Sequence, residues 1–210
     1  MKLHRANGND WDEVAIADRT VWQRYAARTQ GYITPANAVT IFGSFIALTG
    51  LYVLALDVNT MLGVSLLLVG RLADLFDGVV ADYTGTKSPI GEAVDATADK
   101  VVLAASVMTL WIIQLLPTAV FGFLALHAVY NVLLFGWALF TAQRLHPSRN
   151  GKLAAALEWV VVLLFASALG IGAGLTRHAI LGLAWIGFVA FVIFAVHSSQ
   201  AYTTDLRKTS

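Results

Sequence analysis

The sequence predicts an all-α integral membrane bundle of six transmembrane helices, with an N-terminal amphipathic interfacial helix ahead of it. Three observations predict this. Of 210 residues, 58% are hydrophobic and only 13% are charged, and the mean hydropathy is +0.69, a balance that belongs to membrane proteins. The apolar residues gather into stretches of about twenty, the length that crosses a hydrocarbon core of about 30 Å. The lysines and arginines fall in alternate connections, as they do when cytoplasmic loops retain them.

Segment 10–29 reads as a separate short helix. Asp10 can cap it, Glu13 sits at the capping-box position, and Trp11, Val14, Ala15, Trp22 and Tyr25 fall on one side, interrupted by Asp18. Tryptophan and arginine favour the headgroup zone, so this helix is expected on the cytoplasmic leaflet; the alternative is packing on the bundle or on another chain. The first span, 38–56, carries no charge. The second, about 60–81, carries Arg71, Asp74 and Asp77 in its second half. The third, about 90–116, carries Glu92, Asp95, Asp99 and Lys100 early and stops before Pro117. The fourth is 118–143, the fifth 153–175 with Glu158 near its start, and the sixth about 179–197. The connections hold breakers: Asp57 and Asn59, then Pro117, then Pro147, Asn150 and Gly151.

An even number of spans puts both termini on one side, and the basic residues choose that side. Lys2, Arg5, Arg19, Arg24 and Arg28 precede the first span, Lys87 lies in the second connection, and Arg144, Arg149 and Lys152 lie in the fourth. Arg207 and Lys208 lie in the tail, and Arg177 alone falls on the opposite face. The termini and the second and fourth connections are therefore expected to be cytoplasmic. The chain divides into a cytoplasmic N-terminal segment (1–33), the membrane domain (34–201) and a cytoplasmic tail (202–210). The net charge of +1 says little, the distribution of charge along the chain says more, and no nucleic-acid partner is expected. The absence of cysteine excludes disulfides and thiolate chemistry. No cleavable signal peptide is expected, because the first thirty or so residues are polar and of mixed charge.

The greasiest part of the chain is interrupted by Asp74, Asp77, Asp95 and Asp99. The pairs are three and four residues apart, and on a helix either spacing puts both carboxylates on one face. A charge at the centre of a membrane helix costs about 2.5–3.5 kcal/mol, so four unpaired ones would cost about 10 kcal/mol. A lipid-facing role is thereby excluded. The expected arrangement is convergence on a divalent cation near the cytoplasmic surface. An all-oxygen site without histidine or sulfur selects Mg²⁺ or Mn²⁺, ions that neutralise charge in phosphoryl transfer. Gly78 removes a side chain where a ligand can approach the backbone, and Ala81 and Gly91 are expected to keep the same cleft open. Each of these small residues would otherwise serve tight helix packing.

The stretch Asp74-Leu-Phe-Asp77-Gly78-Val-Val-Ala81-Asp82, then eight residues, then Gly91-Glu-Ala-Val-Asp95-Ala-Thr-Ala-Asp99 resembles the signature of the CDP-alcohol phosphatidyltransferase family. That signature is D-x-x-D-G-x-x-A-R, eight residues, G-x-x-x-D-x-x-x-D. Every spacing agrees and seven of the eight defining residues match. The resemblance implies transfer of a phosphatidyl group from CDP-diacylglycerol to a small alcohol with release of CMP. It implies that Asp74, Asp77 and Asp95 hold two Mg²⁺ or Mn²⁺ ions against the CDP pyrophosphate. Asp99 would complete the metal shell or act as general base, and Gly78 and Ala81 would border the cytidine. It also implies a homodimer in the inner or plasma membrane of a bacterium, with the active site facing the cytoplasm.

One position departs from the signature: Asp82 stands where the family has arginine. Lys87 and Arg71 are the candidates to compensate, with Arg71 expected to balance the aspartates rather than touch phosphate. Arg149 and Lys152 open the fifth span and are candidates to hold a phosphate on the acceptor, which favours glycerol 3-phosphate or inositol phosphate; positive-inside topology alone would also place them there. Glu158, six residues beyond Lys152, can pair with it or face the bundle cavity. His127 and Asn131 share a face and are expected to make a polar contact between helices. Pro35-Ala-Asn37 precedes the first span much as in relatives, beside the nucleotide cleft. Two other functions fit a buried carboxylate cluster: an intramembrane prenyltransferase, and a divalent-cation transporter. The first lacks this glycine-alanine-glycine spacing. The second requires polar residues across the membrane, whereas the spans before Gly70 and beyond Val101 are almost wholly apolar.

Overall fold

A computed structural model describes residues 8–140, 149–171 and 173–209, with the backbone alone at 134–140, 169 and 201–209. The described residues are helical throughout, with no strand among them. Two short 3-10 turns, Asp10–Glu13 and Ile16–Asp18, precede α1 (Val21–Arg28), α2 (Pro35–Ala55), α3 (Thr60–Thr84), α4 (Pro89–Ile112), α5 (Thr118–Phe140), α6 (Arg149–Gly170) and α7 (Leu175–Thr209). Among the described residues, three stretches are long and apolar enough to cross a membrane: Pro35–Ala55, Arg149–Ala168 and Leu175–Gln200. The chain divides into two compact units, Met1–Ala105 and Ser106–Ser210.

In the first unit the helix ends are written in the sequence. Thr34 caps α2 by accepting from Asn37 N, with Pro35 at the first position, and Asn59 caps α3 by accepting from Leu62 N. Gly85 ends α3 in the left-handed conformation at φ +61°, with Thr86 N donating back to Ala81 O. Ser88 Oγ then accepts from Gly91 N, starting α4 behind Pro89.

α2 and α3 form an antiparallel hairpin along a seam of small residues. A Cβ on Gly70 would stand 2.5 Å from Gly43 O and 2.7 Å from Ala47, and one on Gly50 would stand 2.6 Å from Gly63 O. The register places Leu54 against Gly63, Gly50 against Leu67, Ala47 against Gly70 and Gly43 beside Asp74. One further turn brings Thr40 to Asp77. The seam therefore aims the upper turns of α2 at the aspartates.

Segment 10–29 is not one helix. It breaks into the two 3-10 turns and α1, and Asp10 does not cap a helix. The reason is local competition: Thr20 Oγ1 accepts from Gln23 N at 3.3 Å while Gln23 Oε1 accepts from Thr20 N at 3.0 Å, a complete capping box that starts the helix at Val21. The expected apolar stripe is split as well. Trp11 is buried at 3% exposure, whereas Trp22 and Tyr25 are 52% and 54% exposed.

In the second unit α6 and α7 pack together, with Gly187 facing Val161, and Val161, Val162, Phe165, Ala166, Ala184, Phe191 and Ala195 are buried. Edge-to-face rings join Phe165 to Trp185 and Phe123 to Phe188 and Phe191. Asn131 Nδ2 donates to the His127 ring within α5, 3.2 Å from Nε2. What His127 makes between helices is an edge-on ring contact with Phe191, centroids 5.2 Å apart. α7 runs as one helix to Thr209, past the end expected for the sixth span. Arg144 lies outside the described residues.

Candidate metal centre

Asp74 and Asp77 stand on the last turns of α3, and Asp95 and Asp99 on the first turns of α4. The short connection through Gly85 and Ser88 turns the chain back, so the four carboxylates arise from the adjoining ends of two consecutive helices. Asp74, Asp77 and Asp95 each offer an oxygen, and these oxygens lie within 4.8 Å of one another. Asp77 is buried, and the other two are partly exposed.

Two neighbours fix these carboxylates. Thr40 on α2 donates its hydroxyl to Asp77 Oδ2 at 2.5 Å. Arg71, one turn ahead of Asp74, pairs with Asp74 and with Asp99 Oδ1, the latter at 2.8 Å. Arg71 thus takes the balancing role read for it in the sequence. Arg71 pairs with two of the four carboxylates, and the donors that converge are all oxygen. That set fits a hard divalent cation. Asp99 belongs to the ion pair with Arg71 and is not one of the three whose oxygens converge.

The remaining sequence candidates divide. Gly78 is exposed, and a Cβ there would meet nothing within 4 Å, so its backbone is open to a ligand. Ala81 is buried beneath the end of α3. Gly91 is not held open. A Cβ on it would stand 3.2 Å from both Asn37 Oδ1 and Ser88 Oγ, so its smallness serves close packing. Asn37 donates through Nδ2 to Gly31 O and Tyr32 O, both at 3.0 Å, and ties the loop before α2. Lys87 Nζ lies 2.6 Å from Asp82 Oδ1. Arg149 and Lys152 are exposed on the first turn of α6, in the second unit, where Glu158 is buried.

Sequence reasoning did not identify Thr40. Its signal was present in the spacing: Thr40, Gly43, Ala47 and Gly50 recur at helical intervals, which puts the hydroxyl on the small-residue face.

A model of the CDP-alcohol phosphatidyltransferase family matches residues 33–196. An uncharacterized protein of Aquifex aeolicus (strain VF5) is 38% identical over 69 residues, covering 33% of this chain and 35% of that protein. The chain thus spans about a third of the length of the curated relative it matches. No solved structure matches it.

Proposed function

This chain belongs to the CDP-alcohol phosphatidyltransferase family, and on that premise we propose that it is an integral membrane enzyme of phospholipid synthesis that uses CDP-diacylglycerol. A small polar alcohol is the acceptor, glycerol 3-phosphate or an inositol phosphate being favoured, and CMP is the leaving product. The family transfers a phosphatidyl group from a CDP-alcohol, and its members are integral membrane proteins. The observation that carries the finer reading is the convergence of Asp74, Asp77 and Asp95 from two helices within 4.8 Å, at the spacing of the family signature.

Asp74, Asp77 and Asp95 would hold two ions, Mg²⁺ or Mn²⁺, whose chemistry is to neutralise the pyrophosphate as the leaving phosphate gains charge. Asp99 takes the proton of the acceptor hydroxyl, steadied by Arg71. The acceptor oxygen forms a bond to the phosphorus that bears the diacylglycerol, and the bond from that phosphorus to CMP breaks. The bare backbone at Gly78 and the small Ala81 border the cytidine, and Gly91 lets the start of α4 close against Asn37. Arg149 and Lys152, exposed on the first turn of α6, are the cations proposed for a phosphate on the acceptor.

Six spans complete the reading, with α3 and α4 as two of them and their charged ends at the cytoplasmic surface. α1 lies at that surface with Trp22 and Tyr25 toward lipid and Arg24 and Arg28 near phosphates. A homodimer is part of the same reading. The test is CMP release from labelled CDP-diacylglycerol by the purified protein, with glycerol 3-phosphate, inositol 1-phosphate, inositol and serine as acceptors. Release is expected with a phosphorylated acceptor, abolished by EDTA and restored by Mg²⁺ or Mn²⁺. Absence of CMP release with every acceptor and both metals would sink it.

A further inference from the structure

The departure at residue 82 has a structural answer in the connection between α3 and α4. Asp74, Gly78 and Asp82 follow one another at four-residue steps, so they lie on one face of α3, along about 12 Å of helix axis. The face begins at the carboxylate cluster, crosses the open backbone of Gly78, and ends at a carboxylate that holds the ammonium of Lys87 at 2.6 Å. Helical side chains lean toward the helix N-terminus, so Asp82 leans over the turn that contains Gly78.

Lys87 does not hang on its side chain alone. Asp10 N donates to Lys87 O at 3.1 Å and Lys87 N donates to Asp10 Oδ2 at 3.2 Å, so one residue grips both backbone groups. Gln23 Nε2 donates to Gly85 O at 3.4 Å, and Thr86 and Ser88 on either side of Lys87 are buried. The side chains of the pair stay accessible, Lys87 at 41% and Asp82 at 68% exposure. These features fix the backbone from which the side chain reaches.

Resting on the transferase reading above, we infer that Lys87 is the phosphate-binding cation of the donor site, carrying from the connection the charge that the family signature carries on residue 82. Asp82 and Asp10 are its positioning residues. Asp82 aims the ammonium along the Gly78 face, and Asp10 fixes the backbone that carries it. The ligand is the phosphate on the nucleoside side of the CDP donor, which is also the phosphate of CMP.

The experiment uses the purified full chain with CDP-diacylglycerol and whichever acceptor the wild type turns over, CMP as inhibitor, and Mn²⁺ affinity as a separate measure of an intact site. Lys87→Met is expected to raise the donor KM and the CMP inhibition constant about tenfold, the loss of one charge-assisted hydrogen bond, with kcat changed far less. Mn²⁺ affinity stays at the wild-type value. Asp82→Arg together with Lys87→Met restores the donor KM, because an arginine at 82 covers the same face. Asp10→Ala raises the donor KM in the wild type and has no further effect in the Lys87→Met background. A structural staple between α3 and α4 would instead lower Tm without rescue by the double substitution. Unchanged donor KM and CMP inhibition in Lys87→Met, or a double variant as impaired as the single one, overturns the inference while the transferase reading stands. If Lys87→Met proves too unstable to assay, the double variant decides. A wild type that releases no CMP removes both.

Discussion

Thr40 has a single hydroxyl proton, and the structure directs it to Asp77. The same oxygen lies 3.2 Å from Ala36 O, the longer of its two approaches. A donor to a carboxylate contributes about 1.5–3 kcal/mol, and here it also fixes the rotamer of a metal-ligand candidate. Thr40→Val keeps the shape and removes the donor. It should weaken Mn²⁺ binding about tenfold, while Thr40→Ser stays near wild type; equal affinity in all three would show that the hydroxyl does not position Asp77. Asp95 and Asp99 separate in the same assay. Asp95→Asn should lose Mn²⁺ affinity and turnover together, whereas Asp99→Asn should keep much of the affinity and lose turnover by roughly 10²–10⁴-fold, the range for a general base. Turnover surviving in both variants would end the assigned chemistry. These four acids were legible in the sequence because a charge inside an apolar helix is expensive. Thr40 was legible only as a member of the small-residue face, because a threonine in an apolar helix is ordinary until its partner across the seam is known.

Among the helices, the α2–α3 seam decides where the first aspartate pair stands. Two glycines of α3 lie eight residues apart and do opposite work. At Gly70 an added methyl would meet Gly43 O at 2.5 Å, and backbone cannot yield as a side-chain tip can. Gly70→Ala must push α2 away, at a cost of about 1–3 kcal/mol, and should lower Tm and weaken Mn²⁺ binding through the lost Thr40–Asp77 register. At Gly78 the same methyl meets nothing within 4 Å, so Gly78→Ala should leave Tm unchanged or raise it, as alanine for glycine does inside a helix, while raising the donor KM. Thermal melts of both variants beside donor kinetics check the pair; a Gly78→Ala protein with wild-type KM would remove this glycine from the donor site. The sequence marks all such residues as small without telling packing from opening. That distinction depends on register, which is also why Gly91 reads as cleft in the sequence and as packing in the structure. The N-terminal helix shows the same limit. Two capping patterns lie within twenty residues; the one at Thr20 closes, and Asp10 is engaged with Lys87 instead of a helix end.

For the whole molecule the sequence specified the order of long helices well, since twenty-residue apolar stretches leave few alternatives. It specified the ends of elements less well, because α7 continues as helix to Thr209, beyond the apolar stretch that ends at Gln200. Sidedness follows from the basic residues alone, and it can be tested cleanly because the chain contains no cysteine. Any thiol introduced is then the sole thiol. Val58, in the connection between α2 and α3, and Tyr83, on the last turn of α3, are both exposed and lie at opposite ends of one helix. If the carboxylate end faces the cytoplasm, Val58→Cys reacts with a membrane-impermeant maleimide in intact cells, whereas Tyr83→Cys reacts only after the membrane is opened. The two positions control for each other, since α3 at 25 residues spans about 37 Å of rise, more than the hydrocarbon thickness. Labelling of Tyr83→Cys in intact cells would place the aspartates on the outer face and end the cytoplasmic reading. Equal labelling of both would mean that α3 does not cross at all.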